Sequence, residues 1–479
     1  MFLGLDLGTS GVRALLVDAS GGVVGSAEAT YPVTRPHPGW SEQDPAAWLT
    51  ACKDTLLALC DSHAQAYGAI RGIGVAGHMH GATLLGADDE VLRPCMLWND
   101  TRSHAEAAAM DKDPQFRAIT GNIVFAGFTA PKVEWVRKHE PAVFGQIAKI
   151  LLPKDYLRLF LTGEHVSEMS DAAGTAWFDT GARDWSDDLL AVCQLDRSQM
   201  PDLVEGSAVS GRLRADLASE TGLPRACVAG GAGDNAAAAI GAGVVKDGTG
   251  FVSLGTSGVL FAANSGYRPD PETAVHTFCH AVPDTWHQMG GILAATDALN
   301  WLATLTGQSP SELTRDLGDV TAPSRTLFLP YLGGERTPHN TAQMRGQFLH
   351  LDHATDARQA TRAVLQGVCY AFADCKDALG ATGTQLPRAL AMGGGAKSDH
   401  WLSMLATTLD IALDVPEAGD FGAALGAARL AMMAGAGAGI DVATQPPLAM
   451  TVEPDAALRA AITDGHARYK QAYAVLKDL

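Results

Sequence analysis

Two loops of identical sequence carry residues suited to binding phosphate. The six residues Leu-Gly-Thr-Ser-Gly-Val occupy positions 7–12 and occur again at positions 254–259. Glycine leaves the backbone N–H groups of a tight turn unshielded, and the neighbouring hydroxyls add further donors for phosphate oxygens. The sequence therefore predicts nucleotide contacts at the first loop, through Gly8, Thr9 and Ser10, and at the second, through Gly255 and Thr256.

A carboxylate distinguishes the first loop from the second. Asp6 stands two residues before Gly8, whereas Ser253 holds the equivalent place before the second loop. Because a carboxylate repels phosphate unless a cation lies between them, Asp6 is predicted to be a catalytic residue that holds Mg²⁺ through water. The alternative is an aspartate on an edge strand that caps its own turn.

A second carboxylate stands where a general base could act. Asp234 and Asn235 follow glycine-rich residues and precede an alanine run that favours a helix. The N-terminus of a helix keeps a carboxylate ionised, and phosphoryl transfer needs only a weak base to accept the hydroxyl proton. Asp234 is therefore a candidate general base, although an isolated Asp-Asn pair at this position is more typical of a helix cap. The alternative is that Asp234 or Asn235 only caps the helix.

A glycine run near residue 393 allows a nucleotide to lie against bare backbone. Gly393, Gly394 and Gly395 follow an apolar segment, and the run continues as Ala396-Lys397-Ser398. The run resembles the end of a P-loop but lacks that motif's glycine spacing. A flexible turn between a strand and a helix is the alternative interpretation.

Met79 and His80 end a predicted strand and suit a small polyol. They offer a soft apolar contact beside a polar group, and no third residue at metal-ligand spacing accompanies His78 and His80. A second His/Cys group, at His276, Cys279 and His280, lies in an apolar segment and is predicted to be structural rather than metal-binding.

Alternating strand and helix patterns must position these residues. Strands are predicted at 2–7, 12–18, 23–30, 70–76, 149–152, 227–230, 250–254 and 389–392. Helices are predicted from Pro45, with Asp44 as cap, and at 358–379 and 422–434. This order indicates an α/β fold. The duplicated loop predicts two related lobes that meet near residues 245–248.

Composition and charge exclude several classes of function. The 479 residues include 47% hydrophobic and 18% charged residues, with a formal net charge of −18. An acidic surface disfavours nucleic acid and anionic membranes as partners. The eight cysteines are scattered without a C-x-x-C pair, which is typical of reduced thiols in a cytoplasmic protein. The N-terminal residues lack the pattern of a signal peptide, and no segment is apolar enough to span a membrane.

The chain resembles the FGGY carbohydrate kinases over nearly its whole length. The landmarks of this resemblance, in chain order, are residues 5–10 (LDLGTS), 79–85 (MHGATLL), 97–100 (LWND), 127–132 (GFTAPK), 152–156 (LPKDY), 170–175 (SDAAGT), 233–235 (GDN), 253–258 (SLGTSG), 334–340 (GERTPHN) and 393–396 (GGGA). The chain departs from the pattern at His78, where glutamine is common.

The resemblance implies an α/β fold of two ribonuclease-H-like lobes, of the actin and hexokinase type, with a catalytic cleft between them. Residues 1–245 would form the N-terminal lobe, which binds the sugar and carries the catalytic aspartate. Residues 246–479 would form the nucleotide-binding lobe. The implied sugar contacts are Met79, His80, Asp234 and Asn235. Asp6 would hold Mg²⁺, and the two loops with Gly393, Gly394 and Gly395 would bracket ATP.

The implied reaction is ATP-dependent phosphorylation of the terminal hydroxyl of a small ketopentose. The Met-His-Gly segment at 79–81 points to D-xylulose rather than glycerol. Another ketose or polyol such as ribulose is an alternative substrate, and a non-catalytic actin-fold nucleotide-binding protein is an alternative class. An NAD-dependent oxidoreductase is disfavoured because no Rossmann fingerprint is found. A homodimer is the assembly considered, with neither nucleic acid nor membrane as a partner.

Overall fold

Two α/β lobes, each built on its own seven-stranded sheet, make up the computed structural model, which describes residues 1–417 and 422–477. The strands of the first half are β1 Phe2–Leu7, β2 Gly11–Val17, β3 Val23–Thr30, β4 Glu42–Gln43, β5 Gly72–Gly77, β6 Thr83–Leu85, β7 Cys95–Met96, β8 Lys149–Leu151, β9 Val166–Glu168, β10 Phe178–Asp179, β11 Asp184–Trp185, β12 Asp202–Val204, β13 Val209–Arg212, β14 Cys227–Ala229 and β15 Ala232–Gly233. Those of the second half are β16 Gly250–Leu254, β17 Gly258–Asn264, β18 His276–Cys279, β19 Trp286–Ile292, β20 Leu327–Leu329, β21 Gln347–Leu349, β22 Arg388–Met392, β23 Ala412–Pro416 and β24 Leu448–Val452.

Helices cover the faces of both sheets. Those of the first half are α1 Pro45–Tyr67, α2 His104–Met110, α3 Pro114–Thr120, α4 Thr129–His139, α5 Pro141–Phe144, α6 Pro153–Thr162, α7 Met169–Ala172, α8 Asp187–Val192, α9 Ala215–Thr221 and α10 Asp234–Gly241. Those of the second half are α11 Thr296–Thr306, α12 Pro310–Arg315, α13 Ala357–Ala381, α14 Asp399–Leu409, α15 Ala423–Ala436 and α16 Arg459–Leu476. Short 3-10 helices lie at Arg197–Gln199, Pro271–Thr273, Gly394–Lys397 and Ile440–Val442.

The two large sheets share one pattern of strand pairing. In the first sheet, β1, β2 and β3 form an antiparallel meander, and β5 and β14 continue the sheet parallel to β1. In the second sheet, β16, β17 and β19 form the meander, and β22 and β23 continue it parallel to β16. The shared pattern confirms the predicted α/β class and the two related lobes.

The duplicated sequence occupies the same place in both sheets. Residues 8–10 join β1 to β2, and residues 255–257 join β16 to β17. Each loop joins the two strands of an antiparallel hairpin, β1 with β2 and β16 with β17. The first strand of each hairpin also pairs in parallel with the strand on its other side, β1 with β5 and β16 with β22. Strand β1 is therefore a central strand, so the alternative interpretation of Asp6 as an edge-strand aspartate is wrong.

Several local predictions from the sequence are confirmed. Asp44 caps α1 by accepting a hydrogen bond from the backbone N–H of Ala46, and Pro45 is the first helical residue. The predicted strands and the two predicted long helices are present, with ends that differ by one or two residues. None of the helices in the described ranges is long and apolar enough to cross a membrane.

Helix α15 belongs to the second half of the chain by sequence but packs on the first sheet. It lies against β1 and β5, and its neighbour on the other side is α10. Glycines permit this close approach: a Cβ built on Gly74 would fall 1.8 Å from the carbonyl oxygen of Ala427, and one on Gly426 would fall 1.8 Å from that of Ala237. The predicted division of the chain at residues 245 and 246 stays a prediction.

Replacement of Gly74 by alanine is expected to destabilise the protein, because its methyl group has no space beside the backbone of α15. Overpacking of this kind typically costs about 1–3 kcal/mol, and Gly74→Ala should fall at the upper end because the obstacle is backbone. Gly380→Ala is the matched control, since that glycine is helical and has no atom within 4 Å of its virtual Cβ. Urea unfolding should show loss of stability for Gly74→Ala and none for Gly380→Ala; equal stability of the two variants would contradict the packing described.

Candidate active site

The carboxyl ends of three parallel strands meet at the candidate active site. Asp6 of β1 is in register with Ala76 of β5, which is in turn in register with Ala232 of β15. Strand β15 ends at Gly233, and Asp234 then begins α10. The strand register therefore brings Asp6 and Asp234, which are 228 positions apart in the sequence, to one edge of the first sheet.

Burial and proximity raise the pKa of both carboxyls. Burial raises the pKa of Asp6 to about 6, and the opposing charge of Arg13, its cross-strand neighbour, only partly offsets this. Burial together with the negative charge of Asp6 raises the pKa of Asp234 to about 7. A carboxylate with a pKa near neutrality has more affinity for a proton than an ordinary aspartate, which is the property required of a general base.

Asn235 holds the Asp234 carboxylate in one orientation. Its backbone N–H donates to Asp234 Oδ1 at 2.7 Å, and its side-chain Nδ2 donates to the same oxygen at 3.0 Å. The N-cap of α10 is Gly233, so neither Asp234 nor Asn235 caps the helix, and that alternative interpretation is wrong. The predicted contact of Asn235 with substrate stays a prediction.

The first phosphate loop is held by side chains of the same lobe. The backbone N–H of Gly8 donates to Gly11 O at 2.9 Å, which closes the turn. Gln43 Nε2 donates to the carbonyl of Thr9 at 2.7 Å, and Trp98 Nε1 donates to Thr9 Oγ1 at 3.1 Å. Because Thr9 Oγ1 accepts this hydrogen bond, its own proton is available to a ligand.

The second phosphate loop is fixed to the start of α11. Its carbonyls at Gly255 and Thr256 accept hydrogen bonds from the backbone N–H groups of Thr296, at 2.9 Å, and Ala295, at 2.8 Å. Thr296 Oγ1 also donates to Gly255 O at 2.8 Å. These contacts satisfy backbone N–H groups at the start of a helix that would otherwise lack partners.

The predicted glycine run lies directly beside this second loop. Gly393 has φ +91°, and a Cβ at that position would fall 2.6 Å from the carbonyl oxygen of Leu254. Only glycine therefore permits both this backbone conformation and this approach. The structure thus brings Gly255, Thr256 and the run 393–395 together, at the edge of the second sheet.

A cavity of about 690 Å³ opens beside Gly394 and Gly395. This volume lies within the range usual for small-molecule sites. Sequence reasoning did not identify the other polar residues that line it, which include Thr296, Asn300, Ser311, Thr314, Arg315, Lys397, Ser398, Asp399 and His400. Among these, Lys397 and Ser398 had a sequence signal, because they follow the glycine run.

Met79 and His80 lie close to the segments that flank the base. A Cβ on Gly233 would fall 2.9 Å from Met79 Cγ, so Met79 packs against the residue before Asp234. His80 Nδ1 lies 2.8 Å from the carbonyl oxygen of Gly174 and must donate to it. Burial and the nearby Lys132 lower the pKa of His80 to about 3, so the ring is neutral and its Nε2 is an acceptor.

Lys132 is a functional residue that sequence reasoning did not single out. It is completely buried, and its Nζ donates to the carbonyl oxygen of His80 at 2.8 Å. His80 has φ +70°, a conformation that non-glycine residues rarely adopt, and the lysine helps to hold it there. Burial lowers the pKa of Lys132 to about 7.

The side chain of His78, where the sequence departs from its family pattern, is also buried. Its ring lies edge-on to Trp48, with centroids 5.6 Å apart. Both ring nitrogens lack hydrogen-bond partners among the described residues. Its backbone N–H donates to Leu7 O at 3.0 Å, which continues the parallel pairing of β5 with β1 beyond the strand end.

A buried ionic network supports the backbone that precedes Asp234. Lys154 Nζ lies 2.6 Å from Asp155, 3.1 Å from Asp171 and 3.4 Å from Glu168, and all four side chains are fully buried. Arg158 pairs with Asp155 and donates to the carbonyl of Gly230. Lys154, Asp155 and Asp171 belong to two of the sequence landmarks, but nothing in the sequence indicated that they form one cluster with Arg158 and Glu168.

Ser170 connects this network to the base. Its Oγ donates to Glu168 Oε1 at 2.9 Å and accepts a hydrogen bond of 3.1 Å from the backbone N–H of Gly233. The position of Asp234 is therefore fixed from both sides, by the network before it and by Asn235 after it.

Comparisons with known proteins agree with this geometry. Residues 1–241 match the model of the N-terminal domain of the FGGY family of carbohydrate kinases, and residues 250–435 match that of its C-terminal domain. The chain is 46% identical to the xylulose kinase of Escherichia coli K12 over the full length of both. It is 49% identical to the xylulose kinase of Klebsiella pneumoniae over 91% of this chain and 90% of the other.

Solved structures confirm the predicted fold of two lobes. A crystal structure described as a "xyloylose kinase" from Brucella ovis has a TM-score of 0.98 and 56% identity, and covers 100% of this chain and 99% of that one. The xylulose kinase from Rhodospirillum rubrum has a TM-score of 0.93 and 29% identity, with the same coverage.

Asp234→Asn is expected to stabilise the protein above neutral pH. The folded-state pKa of about 7 exceeds the unfolded value of about 4. Ionising Asp234 therefore costs folding free energy that grows as the pH rises from about 4 to about 7. Asparagine avoids this cost, so the variant should exceed the wild type in stability at pH 8 and match it at pH 4.

Urea unfolding at pH 4, 6 and 8 measures this difference. Asp54→Asn, at an exposed position on α1, serves as the control and should show no such pH-dependent gain. A constant difference between Asp234→Asn and the wild type across this range would contradict the raised pKa.

Proposed function

The chain belongs to the FGGY family of carbohydrate kinases, and from this premise we propose that it transfers the γ-phosphoryl group of ATP to the terminal hydroxyl of D-xylulose. The products are D-xylulose 5-phosphate and ADP. The substrate assignment is supported by relatives at 46% and 49% identity that are named xylulose kinases. The proposal depends mainly on one observation: Asp6 and Asp234 lie beside Met79 and His80 at one edge of the first sheet, where its parallel strands end.

Asp234 acts as the general base in this reaction. Its carboxylate accepts the proton of the attacking hydroxyl as the oxygen bonds to the γ-phosphorus and the bond to ADP breaks. The hydrogen bonds from Asn235 hold one carboxylate oxygen, so the other is directed to the substrate. His80 Nε2, an acceptor in the neutral ring, receives a hydrogen bond from a second sugar hydroxyl.

Asp6 is the proposed ligand for Mg²⁺. A buried carboxylate beside a phosphate loop fits the usual magnesium site, in which one or two carboxylates, waters and substrate phosphates share the ion. Burial raises the pKa of Asp6 to about 6, because the nearby Arg13 offsets the cost of burying the carboxylate charge only in part. A bound cation would offset more of this cost. Mg²⁺ would supply charge neutralisation for the phosphates.

The nucleotide is proposed to bind on the second lobe. The phosphates lie between the two glycine loops, and the base and ribose extend past Gly394 into the 690 Å³ cavity. Lys397 and Arg315 supply positive charge there in a protein whose net charge is −18.

A cytoplasmic location is proposed because all eight cysteines are free, and seven of them are buried. The homodimer stays a prediction.

An ADP-release assay over a panel of sugars tests the proposed function. D-Xylulose should give the highest kcat/KM when compared with D-ribulose, L-ribulose, xylose, glycerol and xylitol. The matched control is Asp234→Asn, which keeps the shape of the base but not its proton affinity. It should lose at least about 100-fold in kcat, the usual contribution of a general base, while still binding D-xylulose. A higher kcat/KM for another substrate would overturn the D-xylulose assignment, and a variant retaining a tenth of wild-type turnover would overturn the base assignment.

Asp6→Ala should cause a severe loss of activity and raise the Mg²⁺ concentration needed for half-maximal rate. The paired variant Ser253→Ala alters the equivalent position in the second lobe, where no carboxylate occurs, and should be much milder. Magnesium titrations of the two variants and the wild type measure the difference. Superimposable titration curves for Asp6→Ala and the wild type would remove Asp6 from the metal site.

A further inference from the structure

We propose that Arg336 of the second lobe is a sugar-binding residue, whose guanidinium hydrogen-bonds the end of the ketopentose remote from the phosphorylated hydroxyl. This inference rests on the proposed function. It assigns one side of the sugar site to the lobe that binds the nucleotide.

The loop that carries Arg336 is firmly attached to the end of β19. Buried Glu335 accepts hydrogen bonds from the backbone N–H groups of Leu293, at 3.0 Å, and Arg336, at 2.7 Å. On the other side, the backbone N–H of Thr337 donates to Gly291 O at 3.0 Å, and Thr337 Oγ1 accepts from Gly291 N at 3.1 Å. The arginine is therefore held in place before any ligand binds, as a binding residue should be.

The guanidinium reaches a group of rings that surrounds His80. Its Cζ lies 5.3 Å from the ring centroid of Phe125. Phe125 contacts Phe128, with centroids 5.6 Å apart, and Phe128 stacks on His80 at 4.8 Å. His276 of the second lobe completes the group at 5.1 Å from Phe125. Arg336 thus crosses from its own lobe to the histidine that contacts the sugar in the proposed function.

The protein compensates the charge of the guanidinium only in part, through the neighbouring carboxylate of Glu335 and the ring of Phe125. Within residues 1–417 and 422–477 it forms no ion pair and donates no side-chain hydrogen bond, and burial lowers its pKa. A cation withdrawn from water without a partner is unfavourable. A sugar would supply the missing acceptors, since its carbonyl and hydroxyl oxygens match the N–H groups of a guanidinium.

The neighbours of Arg336 place it away from the base. Arg336 lies against the ring group that contains Phe125, Phe128, His80 and His276. Asp234 instead follows the strand end beside Asp6 and Met79. A ketopentose that presents its terminal hydroxyl to Asp234 therefore directs its carbonyl end towards His80 and Arg336. The arginine then acts on sugar affinity and not on the transferred phosphoryl group.

Arg336→Met tests this role. A hydrogen bond from a charged group contributes roughly 10- to 100-fold in affinity, so KM for D-xylulose should rise by about that factor. KM for ATP should stay within twofold of wild type. Arg336→Lys, which keeps the charge but not the fork of donors, should fall between the two.

Thermal unfolding separates a binding role from a structural one. Because the cation forms no ion pair and donates no side-chain hydrogen bond within the described residues, Arg336→Met should leave the Tm of the ligand-free protein unchanged or raise it. The rise in Tm that D-xylulose gives the wild type should be reduced or lost. Arg345→Met, at an exposed arginine whose guanidinium contacts only its own loop, is the control and should behave as wild type in both assays.

The two proposals fail in different ways. Normal turnover of D-xylulose by the wild type, together with an unchanged KM and thermal shift in Arg336→Met, would overturn the role of Arg336 alone. A fall in Tm of several degrees without ligand, with no change in KM, would show a structural arginine. A wild type that binds D-xylulose without phosphorylating it would overturn the proposed function and leave the binding test of Arg336 valid.

Discussion

The buried ammonium of Lys154 is the interaction on which the candidate site depends. It lies within 3.4 Å of three buried carboxylates, those of Asp155, Glu168 and Asp171, and the guanidinium of Arg158 adds a second positive charge beside Asp155. Such a cluster contributes little net stability, but it tolerates no missing partner, because a remaining charge would be buried without compensation. Through Ser170 and Arg158 the cluster fixes the backbone that precedes Asp234. The position of Asp234 therefore depends on the balance of charges within the cluster.

The two lobes have strand ends of the same structure but with different residues beside the turn. Each sheet closes its first hairpin with the same Gly-Thr-Ser-Gly turn, but the residue two positions before the turn is Asp6 in the first lobe and Ser253 in the second. The difference between Asp6 and Ser253 agrees with the proposed function, in which one Mg²⁺ lies beside the first loop. In the second lobe the equivalent turn accepts hydrogen bonds from the start of α11 and lies beside the glycine run that lines the 690 Å³ cavity.

The sequence predicted the local features well, because their signals are local. The duplicated loop, the Asp44 cap and the helix that starts at Asp234 each depend on residues a few positions apart. The residues that were not identified depend on contacts between distant segments. Lys132 acts through the backbone of His80, the cavity residues between 296 and 315 meet the glycine run only in the folded chain, and Arg336 crosses between lobes. The spacing of residue types along a single sequence does not reveal contacts between segments that are far apart in the chain.

The packing of α15 on the first sheet has a consequence for the order in which the chain becomes structured during synthesis. Strands β1 and β5 emerge from the ribosome within the first 80 residues, but the helix that covers them spans Ala423–Ala436. Domains generally fold as units from the N-terminus during translation. Here the apolar face of the first sheet that packs on α15 stays incompletely covered until nearly nine-tenths of the polypeptide has been made. A truncation shortly before α15 would therefore remove the helix that packs on β1 and β5, together with β24 of the second sheet.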